Sequence, residues 1–96
     1  MTAQDVIERL QRSRPEWEAY GVGALFLFGS VVRGEAREDS DIDIIVDFTK
    51  PVGLFDFIGL QERLGALLGR RVDLVTRAAL KPRIRERVLE EAVRAA

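Results

Sequence analysis

The spacing of apolar residues along this 96-residue chain switches between helical and strand periods, and each switch marks an element. Val6, Ile7 and Leu10 recur at helical spacing behind Thr2, with Asp5 three positions on from the threonine, the pattern of a capped helix start. A helix from about 3 to 13 is expected. Pro15 interrupts it, because the residue before a proline is driven out of the α region, and then opens a short helical segment, PEWEAY, closed by Gly21. Trp17 and Tyr20 in that segment are expected to pack on the core. Val22–Phe28 is an apolar run of strand length that stops at Gly29 and reads as a strand covered on both faces. Ser30 to Ala36 is expected to form a short helix, and Arg37-Glu38-Asp39-Ser40 a polar loop.

From Asp41 to Phe48 the period is two, with acids at 41, 43 and 47 on one face and Ile42, Ile44 and Val46 on the other. Lys50-Pro51 and Gly53 then mark a loop. Leu54 to Leu68 places Leu54, Phe57, Ile58, Leu64, Leu67 and Leu68 at helical intervals, with Gly69 as a stop. Phe55 and Leu60 make its first half apolar nearly all round, so that half is either deeply buried or partly covered by another protein. Arg71 to Thr76 reads as a short strand with Asp73 between Val72 and Leu74. Pro82 opens a last helix whose stripe of Ile84, Val88, Leu89, Ala92 and Val93 is expected to cover the sheet. The order of elements gives one two-layer α/β (α+β) domain over residues 1–96, with a small sheet of about three strands and helices packed on it.

Composition narrows the chemistry. The chain has no cysteine and no histidine, so disulfides, thiolate nucleophiles, Ser-His pairs and imidazole ligands are all excluded. Any metal must be held by oxygen, which favours Mg²⁺, Mn²⁺ or Ca²⁺. A net charge of −1 argues against direct nucleic-acid binding, which draws on a basic face. No apolar run approaches the ~20 residues of a membrane span, and Met1-Thr2-Ala3-Gln4-Asp5 lacks the features of a signal peptide. A cytoplasmic location is expected.

The candidate chemistry lies between Leu25 and Lys50. Asp41 and Asp43, two apart in a strand, project carboxylates roughly 6.5–7 Å apart along one face. Asp73 in the following strand supplies a third. Carboxylates gathered at one sheet edge repel unless a cation lies among them, and two Mg²⁺ ions about 3.5–4 Å apart would both relieve the repulsion and serve an in-line displacement at phosphorus. Gly29-Ser30 sits where strand gives way to helix, a place suited to a phosphate. Arg33, one helical turn on, can reach the same phosphate edge, and is equally placed to pair with Glu35, Glu38 or Asp39.

Gly29-Ser30, ten intervening residues, Asp41-Ile42-Asp43 and then Asp73 in a later strand resemble the DNA polymerase β-like nucleotidyltransferase superfamily. Arg33-Gly34, Ser40, Val72-Asp73-Leu74-Val75-Thr76 and Arg85 to Val93 extend the resemblance to its minimal nucleotidyltransferase branch, the MntA-type antitoxins encoded beside HEPN-domain toxins. The resemblance implies a mixed sheet whose first two strands are antiparallel and a metal site, also catalytic, of Asp41, Asp43 and Asp73. It implies triphosphate contacts from Gly29 and Ser30; Arg33 and Ser40 are further candidate nucleotide contacts, and two Mg²⁺, or Mn²⁺ in their place, are the expected cofactors. For this branch it further implies transfer of AMP from ATP to a tyrosine hydroxyl of a HEPN-type toxin, which silences the toxin. A binding module that neutralises its partner by covering it, and a transferase acting on a small molecule or an RNA end, remain as other readings. Nothing else in the chain can bind an acceptor, so the acceptor is expected on a partner or on a second subunit.

Overall fold

In the computed structural model, which describes residues 1–96, Thr2 and Asp5 cap each other at the start of α1 (Ala3–Arg12). The Thr2 N–H donates to Asp5 Oδ2 at 2.9 Å and the Asp5 N–H to Thr2 Oγ1 at 3.1 Å. Pro15 falls in the first turn of a separate helix, α2 (Arg14–Glu18), where its missing N–H costs nothing. The chain then forms β1 (Val22–Phe28), β2 (Ile42–Phe48), α3 (Leu54–Leu68), β3 (Val72–Val75), α4 (Pro82–Glu91) and a two-residue β4 (Val93–Arg94).

The sheet is mixed, in the order β3-β2-β1-β4. β1 and β2 are antiparallel, as are β1 and β4, while β2 and β3 run parallel with Ile42 beside Val72 and Asp43 beside Asp73. Alternation along the strands divides it into two faces. Leu25, Leu27, Ile42, Ile44, Val46, Val72 and Leu74 face the main core, where Val6, Leu10, Trp17, Leu60, Leu64 and Leu68 of α1, α2 and α3 cover them. Each of those large aliphatic side chains contributes ~1.5–3 kcal/mol through burial. Trp17 is fully buried and its indole N–H donates to the Leu10 carbonyl at 2.8 Å, while Tyr20 packs at the edge of the same core. The opposite face carries a smaller cluster in which Leu80 and Val88 cover Ile45. That cover is partial, and the acids lie on the part of this face beyond it.

Three expectations change. Instead of a helix over 30–36 there is one 3-10 turn, Gly29–Val31, because the Gly29 carbonyl takes the N–H of both Val32 and Arg33 and Gly34 reverses the chain at φ 73°. Asp41 lies just before β2 rather than inside it. A fourth strand exists because α4 stops at Glu91 and the chain turns extended at Ala92, so Val93 and Arg94 pair with Leu27 and Phe26 instead of continuing a helical stripe. Of the two readings open for the first half of α3, deep burial is excluded: Leu54, Phe55 and Ile58 are 71%, 90% and 41% exposed. No helix is long and apolar enough to cross a membrane.

Candidate active site

The site is organised by the parallel pairing of β2 with β3. Asp43 in β2 and Asp73 in β3 are direct neighbours across that ladder, so both carboxylates rise from the same face of the sheet. Asp43 is half-buried, whereas Asp73 is exposed. Burial, followed by the like charges of Asp73 and Asp41, pushes the Asp43 carboxyl from the ordinary 3.8 up to about 6; Arg33 acts in the opposite direction, and a hydrogen bond with Asp73 favours the protonated form. A carboxyl held this way is a group that a cation would stabilise.

Gly29 is fitted to Asp43. Phe28 ends β1 opposite Asp43, and the next residue turns back at φ +74°, a conformation that L side chains rarely adopt. A Cβ at Gly29 would collide with the Asp43 carboxylate. Glycine is therefore required twice over, for the turn and for the approach, and Ser30 follows in the same 3-10 turn. Gly29-Ser30 and Asp43 thus share one corner, with Asp73 one strand further on.

Arg33 is held between two acids. Its Nε lies 2.6 Å from Glu35, one of the partners left open by the sequence, and its Nη1 lies 2.7 Å from Glu91 at the end of α4. Both acids raise its pKa further. Ser40 closes a turn, its hydroxyl accepting the Arg37 N–H at 2.9 Å. Asp47, the third acid of the β2 pattern, belongs to the scaffold: Arg77 grips it through Nε and Nη2 at 2.9 and 3.1 Å and lies over the Phe26 ring at 4.8 Å, pinning the segment between β3 and α4 onto the sheet.

Asp41 adds like charge to Asp43 but has a cationic partner of its own. Its carboxylate pairs with Arg71, whose Nε is 3.0 Å away, and it borders an open hollow of about 510 Å³ lined also by Gln61, Glu62, Arg70 and Arg71. Neither Asp43 nor Asp73 lines that hollow. The donor set of oxygen ligands, with Asp43 pressed by like charge, suits a hard divalent cation. As the side chains stand, however, no group of three acids converges to hold an ion. Arg71 and its neighbour Arg70 are the residues the sequence left unnoticed: Arg70 donates to the carbonyls of Arg37 and Ser40, and Arg71 to that of Asp39 at 3.3 Å, so the pair ties down the loop that leads into Asp41. Two arginines directly after the Gly69 stop were the available signal, but only the strand register shows what they face.

Comparison with known proteins shows the family and the fold. The nucleotidyltransferase domain family matches residues 6–95. A protein adenylyltransferase, MntA, of Thermococcus cleftensis is 55% identical over 76 residues, which span 79% of this chain and 77% of that protein. The solved structure of a minimal nucleotidyltransferase superposes with a TM-score of 0.80 at 42% identity, covering 97% of this chain and 95% of that one. A complex of a tri-AMPylated Shewanella oneidensis HEPN toxin with an MNT antitoxin shares the fold, with a TM-score of 0.60 at 22% identity over 97% of this chain and 67% of the other. The chain belongs to the nucleotidyltransferase domain family.

Proposed function

We propose that this protein is a protein adenylyltransferase that moves AMP from ATP onto a tyrosine hydroxyl of a HEPN-type toxin and so acts as its antitoxin. The observation that carries the reading is the corner in which Gly29 packs against Asp43 while Asp73 stands beside it in register. The Thermococcus cleftensis relative, named for protein adenylylation, supports the choice of AMP and of a protein acceptor.

In the reaction the acceptor oxygen attacks the α-phosphorus of ATP, a new P–O bond forms, the bond to the β-phosphate oxygen breaks, and pyrophosphate leaves. Gly29 and Ser30 hold the triphosphate at the turn after β1. Asp73, exposed beside Asp43, accepts the proton of the incoming hydroxyl. Asp41, Asp43 and Asp73 are the residues that would hold Mg²⁺ or Mn²⁺; a bound divalent ion neutralises phosphate charge and lowers the pKa of a coordinated oxygen. The acids lie on an open face, which leaves room for an acceptor carried by another protein. The test is transfer of radiolabel from ATP labelled in the α-phosphate: wild-type protein labels the partner, and Asp43→Asn, folded, does not. Label reaching the partner at the wild-type rate in that variant overturns the proposal.

A second reading, neutralisation by covering the partner without transfer, draws on the exposed Leu54, Phe55 and Ile58 at the start of α3. Neutralisation that survives Asp41→Asn together with Asp43→Asn favours it.

A further inference from the structure

Asp41 and Asp43 are both candidate ligands, yet the strand pairing gives them opposite neighbours. With Ile42 beside Val72 and Asp43 beside Asp73, residue 41 falls alongside residue 71. The Ile42 N–H donates to the Arg71 carbonyl at 2.9 Å and fixes that placement in the backbone. An acid–arginine pair thus stands at 41 and 71, just before the β2–β3 ladder begins, and two residues on the ladder presents an acid–acid pair at 43 and 73. The first pair is closed, with Nε and Oδ1 3.0 Å apart; the second repels. As the side chains stand, three carboxylates do not converge, and one of them already has a cation.

We propose that Arg71 is the resident counter-ion of Asp41, a positioning residue that competes with a divalent metal ion for this carboxylate and releases it when the ion binds. The proposal rests on the reading of the three acids as a metal site. Both groups are exposed, with side-chain exposures of 79% for Arg71 and 48% for Asp41, so the competition is mild. A solvent-screened pair of this kind weakens metal binding by about 1.5- to 5-fold, equivalent to ~0.2–1 kcal/mol. Arg70 is a built-in control. It carries the same charge one residue away and holds the same loop, but through the carbonyls of Arg37 and Ser40 rather than through a carboxylate. A change in affinity caused by general charge or by loosening the loop appears in Arg70 variants as well; competition for Asp41 does not.

The experiment is titration of the full chain with Mn²⁺, read as loss of the free Mn²⁺ electron paramagnetic resonance signal, with and without a non-hydrolysable ATP analogue. Wild type, Arg71→Gln, Arg71→Lys, Arg70→Gln and Asp43→Asn are compared, each checked for folding by circular dichroism. Arg71→Gln is expected to bind Mn²⁺ about 1.5- to 5-fold more tightly than wild type, Arg71→Lys to return towards the wild-type value, and Arg70→Gln to match wild type. Unchanged or weaker binding in Arg71→Gln, or equal tightening in Arg70→Gln, overturns the role of Arg71 while leaving the metal site standing if Asp43→Asn has lost binding. Wild-type affinity in Asp43→Asn, or no binding in any variant, overturns the metal-site reading itself.

Discussion

Asp43→Asn is expected to make the metal-free protein more stable at neutral pH even as it removes nucleotide transfer. Asp43 is half-buried beside Asp73 with its carboxyl pushed up to about 6 from 3.8. A rise of about two corresponds to ~3 kcal/mol if all of it were felt, and solvent screening of a half-exposed group reduces this to about 1 kcal/mol. The folded protein binds this proton more tightly than the unfolded chain does. The resulting stabilisation is complete below pH 3.8 and is lost as the pH rises through about 6, so at pH 7.5 the ionised carboxylate is a net burden. Asparagine has the same shape, keeps a hydrogen bond to Asp73 within reach and carries no charge. For a domain of this size ~1 kcal/mol moves the thermal midpoint by about 4–8 °C. Unfolding followed by circular dichroism in EDTA should show that gain at pH 7.5 and a much smaller one at pH 4.5. Addition of Mg²⁺ should raise the wild-type midpoint and leave the variant unmoved, since a ligand stabilises only the state that binds it. A lower midpoint for the variant at pH 7.5, or the same gain at both pH values, would refute the like-charge argument.

Gly29→Ala should cost about 1–3 kcal/mol from backbone strain alone and should also abolish transfer, because the new methyl collides with the Asp43 carboxylate; thermal unfolding and label transfer measure the two effects separately. Leu64→Ala, in the fully buried row of α3, should lower stability by about 2–5 kcal/mol, whereas Phe55→Ser, at 90% exposure in the same helix, should stay within ~0.5 kcal/mol in urea titration. If Phe55→Ser destabilises the isolated chain as much as Leu64→Ala does, the start of α3 is not the free surface described above.

The parts of this molecule governed by local rules were legible in the sequence. Thr2 and Asp5 announced the first helix, Gly69 ended α3 where it was expected to, and the alternation after Asp41 separated the core face of β2 from its acid face. The parts governed by partners distant in sequence were not. Val93 ends an apparently helical stripe, and only the edge of β1 draws it and Arg94 into a strand. Ile45 lies on the acid face, yet it is fully buried because Leu80 and Val88 cover it. Arg33 takes Glu35, one of the local acids open to it, but its second partner, Glu91, arrives from α4, 58 residues away. The opposed roles of Asp41 and Asp43 could not be read from Asp-x-Asp either, since the spacing is symmetric and only the register with β3 sets an arginine beside one and an acid beside the other.

The central claim is that this corner of Gly29, Asp43 and Asp73 transfers AMP to a protein. Intact-mass measurement of a HEPN-type partner co-expressed with the wild-type chain, and separately with Asp43→Asn, tests it most directly. The partner should carry one or more whole AMP increments with wild type and none with the variant. An unmodified partner beside active wild-type chain, or the same increments with Asp43→Asn, would contradict it.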